Sequence, residues 1–396
     1  MKKRPSWEAR VEDGWRRRSI VWLTGVRRVG KTTLCRSLPD TEYFDCELPS
    51  VRRELEDVEG FLRARERGRI VLDEVHRLAD PATFLKIAAD HFPRIRIVAT
   101  GSSTLGVSAR FRDTLAGRKE EVWLTPMTNE DLQAFGDPRL PHRLLHGGLP
   151  PFFLADAPPD RDFQEWLDAF WAKDVQELFR LERRHAFQRL FELMLASSGG
   201  IFEATRFARA CEVSRQTVQN YLAVLEATFV AHVVRPFTTH KPAEIVAAPK
   251  VYGFDTGFVA YHRGWTSLRP EDLGALWEHF VLNELHAANV PPSDIRYWRD
   301  KQGHEIDFVL AGRLREPIAV ECKWNAASFT PNALTAFRQR YSPGRNYVVS
   351  SDTRRPFDRT YGALSVHFVG IDHVAAMAKA PRPRVRAARK RKRASG

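Results

Sequence analysis

Cysteine is scarce in this chain. Cys35, Cys46, Cys211 and Cys322 are the only four in 396 residues. They lie far apart and form no CxxC pair, which argues against a disulfide framework or a structural zinc site. No HExxH or similar histidine spacing occurs. No apolar run approaches the length a bilayer span requires. The opening stretch, MKKRPSWEARVEDGWRRRS, is basic but lacks the apolar core of a secretion signal. The expectation is a cytoplasmic protein with no membrane partner.

What is present is charge, unevenly placed. The net +13 falls to 13 − 9 = +4 once residues 379–396 are set aside, because that tail holds nine basic residues and no acids. Such a run is too charged and too poor in apolar residues to fold alone. It could neutralise nucleic-acid phosphates, or serve only as a solvated end. At 396 residues the rest has room for two or three domains with ordinary cores.

SIVWLTGVRRVGKTTL joins an apolar strand, 20–24, to a loop and a helix start. Gly25, Gly30, Lys31 and Thr32 fit GxxxxGK[ST]. The glycines let the backbone of Val26, Arg27, Arg28 and Val29 wrap the phosphates of ATP, with amides pointing inward as far as Thr33. Lys31 reaches the β and γ phosphates, and the Thr32 hydroxyl goes to Mg2+. A second apolar run, Ile70, Val71 and Leu72, ends in Asp73 and Glu74. Asp73 then belongs to the magnesium shell, and Glu74 orients or deprotonates the attacking water. A third run, RIRIVATGSS, ends in Thr100, Ser102 and Ser103, where a γ-phosphate sensor belongs in an AAA-type ATPase. Arg118, in LAGR, is either an arginine finger or sensor, or an ordinary surface charge.

LADAPPDRD breaks the pattern with prolines and acids, and helical text follows. Ser214 can cap a helix whose Val218, Tyr221, Leu222 and Leu225 fall at i, i+3, i+4 and i+7. With a short helix holding Phe207 and Ala208 before it, and 229–234 as a wing, the spacing is that of a winged helix-turn-helix. Arg215, Gln216, Gln219 and Asn220 lie on its polar side, open to phosphates or base edges. The alternative is a module that only packs domains together.

GHEIDFVLAGRLREPIAVECKW predicts two short strands joined by a tight turn. Alternation puts Ile318, Val320 and Cys322 on one face of the second strand, and Ala319, Glu321 and Lys323 on the other. On the first strand Ile306, Phe308 and Leu310 face the core, turning Asp307 away. Pairing would bring Asp307 to Glu321, two carboxylates that suit Mg2+ or Mn2+, with the Lys323 ammonium beside them. Taken alone, Glu321 and Lys323 read equally as an ion pair on an edge strand.

GVRRVGKTT, VLDEV, TGSS, LAGR and GGLPP, in that order, resemble a large prokaryotic family of AAA-type ATPases. Its C-terminal domain, long of unknown function, is thought to resemble PD-(D/E)XK nucleases, and the likeness runs from about residue 17 to residue 370. Asp307 followed by Glu321-x-Lys323 then corresponds to the nuclease core, with Ile306 where a proline often stands. The resemblance also implies a metal-binding glutamate on an earlier helix, Glu278, preferred over Glu284 by the G-x-x-x-E pattern. It includes YGFDTGFVAYHRG, with Asp255 at a turn.

The expected fold is α/β. It comprises a P-loop AAA-type ATPase domain (1–153), a helical lid or connector (154–198), and a winged helix-turn-helix (199–240). An α/β restriction-endonuclease-like domain (241–378) and a disordered basic tail (379–396) complete it. The expected function is ATP hydrolysis coupled to DNA binding or processing, with a metal-dependent nuclease domain. The alternative is a nucleotide-switched regulator whose nuclease-like domain is idle. An arginine finger acting across subunits would imply an oligomer, whereas Arg118 could equally act within one chain.

Overall fold

The structure is a computed structural model, and it describes residues 2–101, 109–156, 160–176, 183–238, 248–312 and 316–379. The chain divides into two compact units. The first holds Met1–Val233 and Val251–Asn289, and the second holds Val234–Lys250 and Val290–Gly396. The first unit thus includes a stretch that follows, along the chain, an excursion into the second.

In the first unit five strands form a wholly parallel sheet. They are β1 (Ile20–Thr24), β2 (Glu42–Asp45), β3 (Arg69–Asp73), β4 (Arg96–Thr100) and β5 (Lys119–Trp123), in the order β2-β3-β4-β1-β5. A parallel sheet is covered on both faces, which is why β1, β3 and β4 read as unbroken apolar runs. Ile20, Trp22, Ile70, Leu72, Ile97 and Ala99 pack against Phe44, Phe61, Phe84 and Phe111 on one face. Val21, Leu23, Val71 and Val98 are buried on the other. All three strands end at the same edge, so the loops after Thr24, Asp73 and Thr100 meet there.

The N-terminal helix Pro5–Arg17 packs on this sheet and is anchored from its cap residue. The Arg4 guanidinium lies 2.5 Å from buried Asp131 and donates to the carbonyls of Val29 and Thr125, both at 3.1 Å. Asp131 also completes a capping box with Thr128. Beyond the sheet come helices Leu140–His146, Asp160–Ala169 and Arg184–Ala196, and a π-helical segment Phe170–Gln176.

Helices Ala204–Ala210 and Arg215–Ala227 follow, and the Ser214 side chain accepts from the Thr217 amide at 3.0 Å as an N-cap. Val218, Tyr221 and Leu225 are buried, as the spacing predicts. Strand β6 (Ala231–Pro236) crosses the division between the units along the chain, and β7 (Lys250–Gly253) leads back into the first. Helix Pro270–Ala287, with Glu278, belongs to the first unit.

The second unit is built on β8 (Ile295–Arg299), β9 (Glu305–Leu310), β10 (Ile318–Lys323), β11 (Asn346–Ser350), β12 (Phe357–Tyr361) and β13 (Leu364–Val369). Their order is β12-β13-β11-β10-β9-β8, and Arg235 and Pro236 at the end of β6 pair in parallel with β8. β9 and β10 are antiparallel, as expected; part of their connection, 313–315, lies outside the described residues.

The predicted faces of β10 hold, but both are buried, and Ile306 does not share the core face of Phe308 as expected. β10 is an interior strand, between antiparallel β9 and parallel β11, and both of its faces are covered. Ala319 and Val309 therefore sit in the core with Ile306 and Val348, while Ile318, Val320 and Phe308 are buried on the other face. Interior position also rules out the edge-strand reading of Glu321 and Lys323. Among the described residues no helix is long and apolar enough to cross a membrane. All four cysteines are buried and none forms a disulfide.

Candidate functional site

A cavity of about 570 Å³ opens at the edge where β1, β3 and β4 end. The loop after β1 forms its floor. Gly30 has φ 104°, and Gly25 has φ 142°. A side chain at Gly25 would run into the Leu124 carbonyl, so the tight turn needs glycine for space as well as for φ. Arg28, also at positive φ, completes the curl. Lys31, Thr32 and Thr33 open the helix Lys31–Ser37 and line the cavity with Gly25, Val26, Arg27, Arg28 and Gly30. Val29 is buried behind them, its carbonyl held by Arg4.

Lys31 Nζ donates to the carbonyls of Gly25 (2.8 Å) and Val26 (3.2 Å), which folds the ammonium back over the loop. Burial pulls its pKa below the ordinary lysine value, against the opposing pull of Glu74 and Asp174. At the end of β3, Asp73 is buried and accepts from Tyr43 Oη at 2.6 Å and from Thr100 Oγ1. Thr100 Oγ1 in turn accepts from the Glu74 amide at 3.0 Å. One hydroxyl on β4 thereby fixes the Asp73 carboxylate and the backbone of Glu74 that follows it.

Glu74 stands in the left-handed region, φ 56° and ψ 46°, an uncommon conformation for a side-chain-bearing residue and one concentrated at functional sites. Its Oε2 lies 3.2 Å from His76 Nδ1. Burial works to raise the Glu74 pKa, but the hydrogen bond from His76 and the charge of Lys31 prevail and hold it below the usual carboxylate range. Glu74 therefore stands ionised in the cavity, an acceptor for a hydrogen bond from water.

The opposite walls were not legible in the sequence. Arg27 Nε donates to Asp174 Oδ2 at 3.1 Å, Arg28 lies 3.8 Å from Asp162, and Trp166 Nε1 donates to the Arg27 carbonyl at 3.0 Å. The helical stretch 160–176 is thus held to the phosphate loop through three residues. Pro150, Pro151 and Leu154 form another wall, and Lys2, Lys3 and Phe135 a third. Nothing local in the sequence announces these partners, because they are more than a hundred residues from the loop or on its other side.

Ser102 lies outside the described residues. Arg118 makes a two-pronged ion pair with Asp90, at 2.7 and 3.0 Å, and is not among the residues lining the cavity. Arg215, Gln216, Gln219 and Asn220 are exposed on helix Arg215–Ala227, with Gln216 donating to Asn220 at 3.0 Å. The basic tail beyond Lys379 is outside the described residues.

In the second unit Asp307, Glu321 and Lys323 do come together. Lys323 Nζ lies 2.7 Å from Glu321 Oε2 and 3.9 Å from Asp307 Oδ2, and the Cys322 amide donates to Asp307 at 2.7 Å. Burial alone would lower the Lys323 pKa; Asp307 and Glu321 outweigh it and hold the ammonium charged, above the ordinary lysine range. Glu278 is in the first unit, where it accepts from Tyr252 Oη at 2.5 Å. Among the described residues no cluster of three or more His, Cys, Asp or Glu side chains is placed to hold a metal ion. The donor chemistry of Asp307 and Glu321 suits a hard cation, but the lysine ammonium stands between them.

Comparison with known proteins adds three domain matches. Residues 17–132 match an AAA domain, residues 137–269 the domain of unknown function DUF8612, and residues 273–368 the domain of unknown function DUF4143. The chain therefore carries an AAA-type ATPase domain of the P-loop kind. Two mycobacterial relatives, uncharacterized protein Rv2008c of Mycobacterium tuberculosis and uncharacterized protein Mb2031c of Mycobacterium bovis, are each 31% identical over 320 residues, which is 77% of this chain and 71% of theirs. Among solved structures, the Walker-type ATPase PABY2304 of Pyrococcus abyssi aligns with 66% of this chain and 96% of its own, at 15% identity and a TM-score of 0.40.

Proposed function

We propose, from the premise that the chain belongs to the family of the mycobacterial proteins Rv2008c and Mb2031c, that it binds ATP with Mg2+ at the head of helix Lys31–Ser37, hydrolyses it, and uses the cycle to control a DNA-handling module. The observation that carries the first part is the cavity itself. It gathers a phosphate-wrapping loop, Lys31, the Thr32 hydroxyl and the Glu74 carboxylate around one space large enough for a nucleotide.

The loop amides and Lys31 bind the phosphates, and binding releases Lys31 from the Gly25 and Val26 carbonyls. Thr32 lines the cavity and Asp73 lies buried at the end of β3; both are hard oxygen donors that would hold Mg2+, which when bound neutralises phosphate charge. Glu74 orients the attacking water and accepts its proton, with His76 fixing the carboxylate and Thr100 fixing its backbone. Arg27 is within the phosphate loop and would reach the polyphosphate only by leaving Asp174.

The DNA-handling part rests on two features. One is the helix pair 204–210 and 215–227, read as a winged helix-turn-helix with Arg215, Gln216, Gln219 and Asn220 exposed for contact. The other is the basic tail, which adds phosphate contacts of its own. The proposed domain plan is that read from sequence, with the ATPase to 153, connector to 198, winged helix to 240 and nuclease-like domain to 378, except that Val251–Asn289 of the last span packs in the first unit. Hydrolysis would be measured for wild type, Lys31→Ala and Glu74→Gln, with and without DNA. A rate that survives both substitutions sinks the ATPase assignment, and a rate indifferent to every form of DNA sinks the coupling.

A second reading concerns the close approach of Lys323 to Glu321 and Asp307, favoured by its match to the PD-(D/E)XK order. It makes the second unit a metal-dependent nuclease in which Asp307 and Glu321 would hold the cation and Lys323 steadies charge on the scissile phosphate. Cleavage of linear, single-stranded and branched DNA with Mg2+ or Mn2+, lost in Asp307→Ala, is the expected result. An intact substrate pool after incubation with active ATPase would instead favour a nucleotide-switched regulator.

A further inference from the structure

The motif GGLPP and the motif YGFDTGF, about a hundred residues apart in sequence, close on one another. Asp255 is completely enclosed at the head of helix Thr256–His262. Its Oδ1 accepts from the Gly257 amide at 2.9 Å as an N-cap, and its Oδ2 accepts from the Gly148 amide at 2.6 Å. The Arg143 guanidinium, equally enclosed, lies 3.8 Å from the same Oδ2. Arg143 donates to Thr256 Oγ1 at 2.8 Å and to the Met127 carbonyl at 3.0 Å.

Three glycines permit the approach. A side chain at Gly147 would collide with the Asp255 carboxylate, one at Gly148 with the Arg143 guanidinium, and one at Gly257 with the Gly147 backbone at 2.7 Å. Gly147 also has φ 90°, in the region that favours glycine. The loop so pinned continues directly into Pro150 and Pro151, which wall the nucleotide cavity opposite Gly30. Asp255 itself does not line that cavity.

We infer that Asp255 is a positioning residue for nucleotide binding: by holding the Gly148 amide it sets the 147–151 loop as a cavity wall, and it ties that wall to the segment Val251–Asn289. The inference rests on the ATP-binding reading above. A buried carboxylate shared between a helix cap, a loop amide and a buried arginine fixes position more tightly than apolar packing, because each hydrogen bond is directional and charge-assisted. The wall therefore moves only if helix Thr256–His262 moves with it. Nucleotide contact with Pro150 and Pro151 restrains both together.

The test begins with full-length wild type. A fluorescent ATP analogue establishes whether nucleotide binds; failure there refutes the ATP-binding reading, not this one. Given binding, amide exchange should slow in peptides covering 145–152 and 253–262 together on addition of ATP. Protection confined to the phosphate loop overturns the inference. Asp255→Asn is expected to raise KM and Kd for ATP about tenfold, with kcat at saturation changed less than threefold. The double variant Asp255→Ala/Arg143→Met removes both buried charges and should recover the melting temperature but not the affinity. Wild-type affinity in a folded Asp255→Asn, or recovery of affinity together with stability in the double variant, would mean a structural role only.

Discussion

Arg27 Nε and Asp174 Oδ2 are 3.1 Å apart, so a phosphate-loop cation is already committed to an acid that lines the same cavity. That carboxylate is the wrong sign for a polyphosphate site. Burial raises the Asp174 pKa, with Arg27 pulling the other way. Asp174→Asn removes the repulsion and frees Arg27, and is expected to tighten ATP binding by about tenfold, or ~1.4 kcal/mol. Titration of a fluorescent ATP analogue reads this directly, and weaker binding would show that Asp174 orients Arg27 productively instead.

Glu74→Gln keeps the size and hydrogen-bonding reach of the side chain but removes its capacity to take a proton. Hydrolysis should fall by about 10²-fold or more, while ATP affinity stays within a few-fold. Thr100→Val should show a smaller loss in kcat, because it releases the Asp73 carboxylate and the Glu74 amide without touching either acid's chemistry. Steady-state rates with single-turnover controls separate the two effects.

Much of this site is legible in the sequence. Buried parallel strands are written as apolar runs, so β1, β3 and β4 and the polar residues at their ends were visible in sequence. The Ser214 cap and the antiparallel pairing of β9 with β10 were visible for similar reasons of local spacing. What stayed hidden is contact across distance. Arg27 meets Asp174, Arg143 meets Asp255 and Arg4 meets Asp131, each through a fold that no periodicity encodes. The alternation in β10 separates its two faces but does not tell which is covered; both are, and Ala319 belongs to the core as much as Val320.

Glu284 gives the first unit a pH dependence. Burial raises its pKa to about 8, and although the Asn129 amide donates to it at 2.7 Å, nearby Asp131 and Glu130 push the same way as burial. A carboxyl whose folded pKa exceeds its unfolded value holds its proton more tightly when folded. Stability from this group is thus greatest at low pH and is lost as pH climbs from about 4.5 toward 8. Glu284→Gln keeps an acceptor for Asn129 and removes the ionisation. Its melting temperature should gain on wild type steadily across that window and hold a constant lead above it; a pH-independent difference would place the raised pKa elsewhere.

Arg4 couples stability to the nucleotide site. Its guanidinium neutralises Asp131, whose pKa it holds down against burial, and holds the Val29 carbonyl of the phosphate loop. Arg4→Ala leaves a buried carboxylate without its partner, a change that costs about 3–5 kcal/mol in comparable buried pairs. The double variant Arg4→Met/Asp131→Asn removes both charges, keeps an acceptor for the Thr128 capping box, and should recover part of that loss. It cannot restore the bond to Val29, so its ATP affinity should remain below wild type even where its melting temperature approaches it. If denaturant melts show the single and double variants equally destabilised, the cost lies in the Val29 and Thr125 carbonyl contacts, and the ion pair with Asp131 is not what holds the N-terminal helix in place.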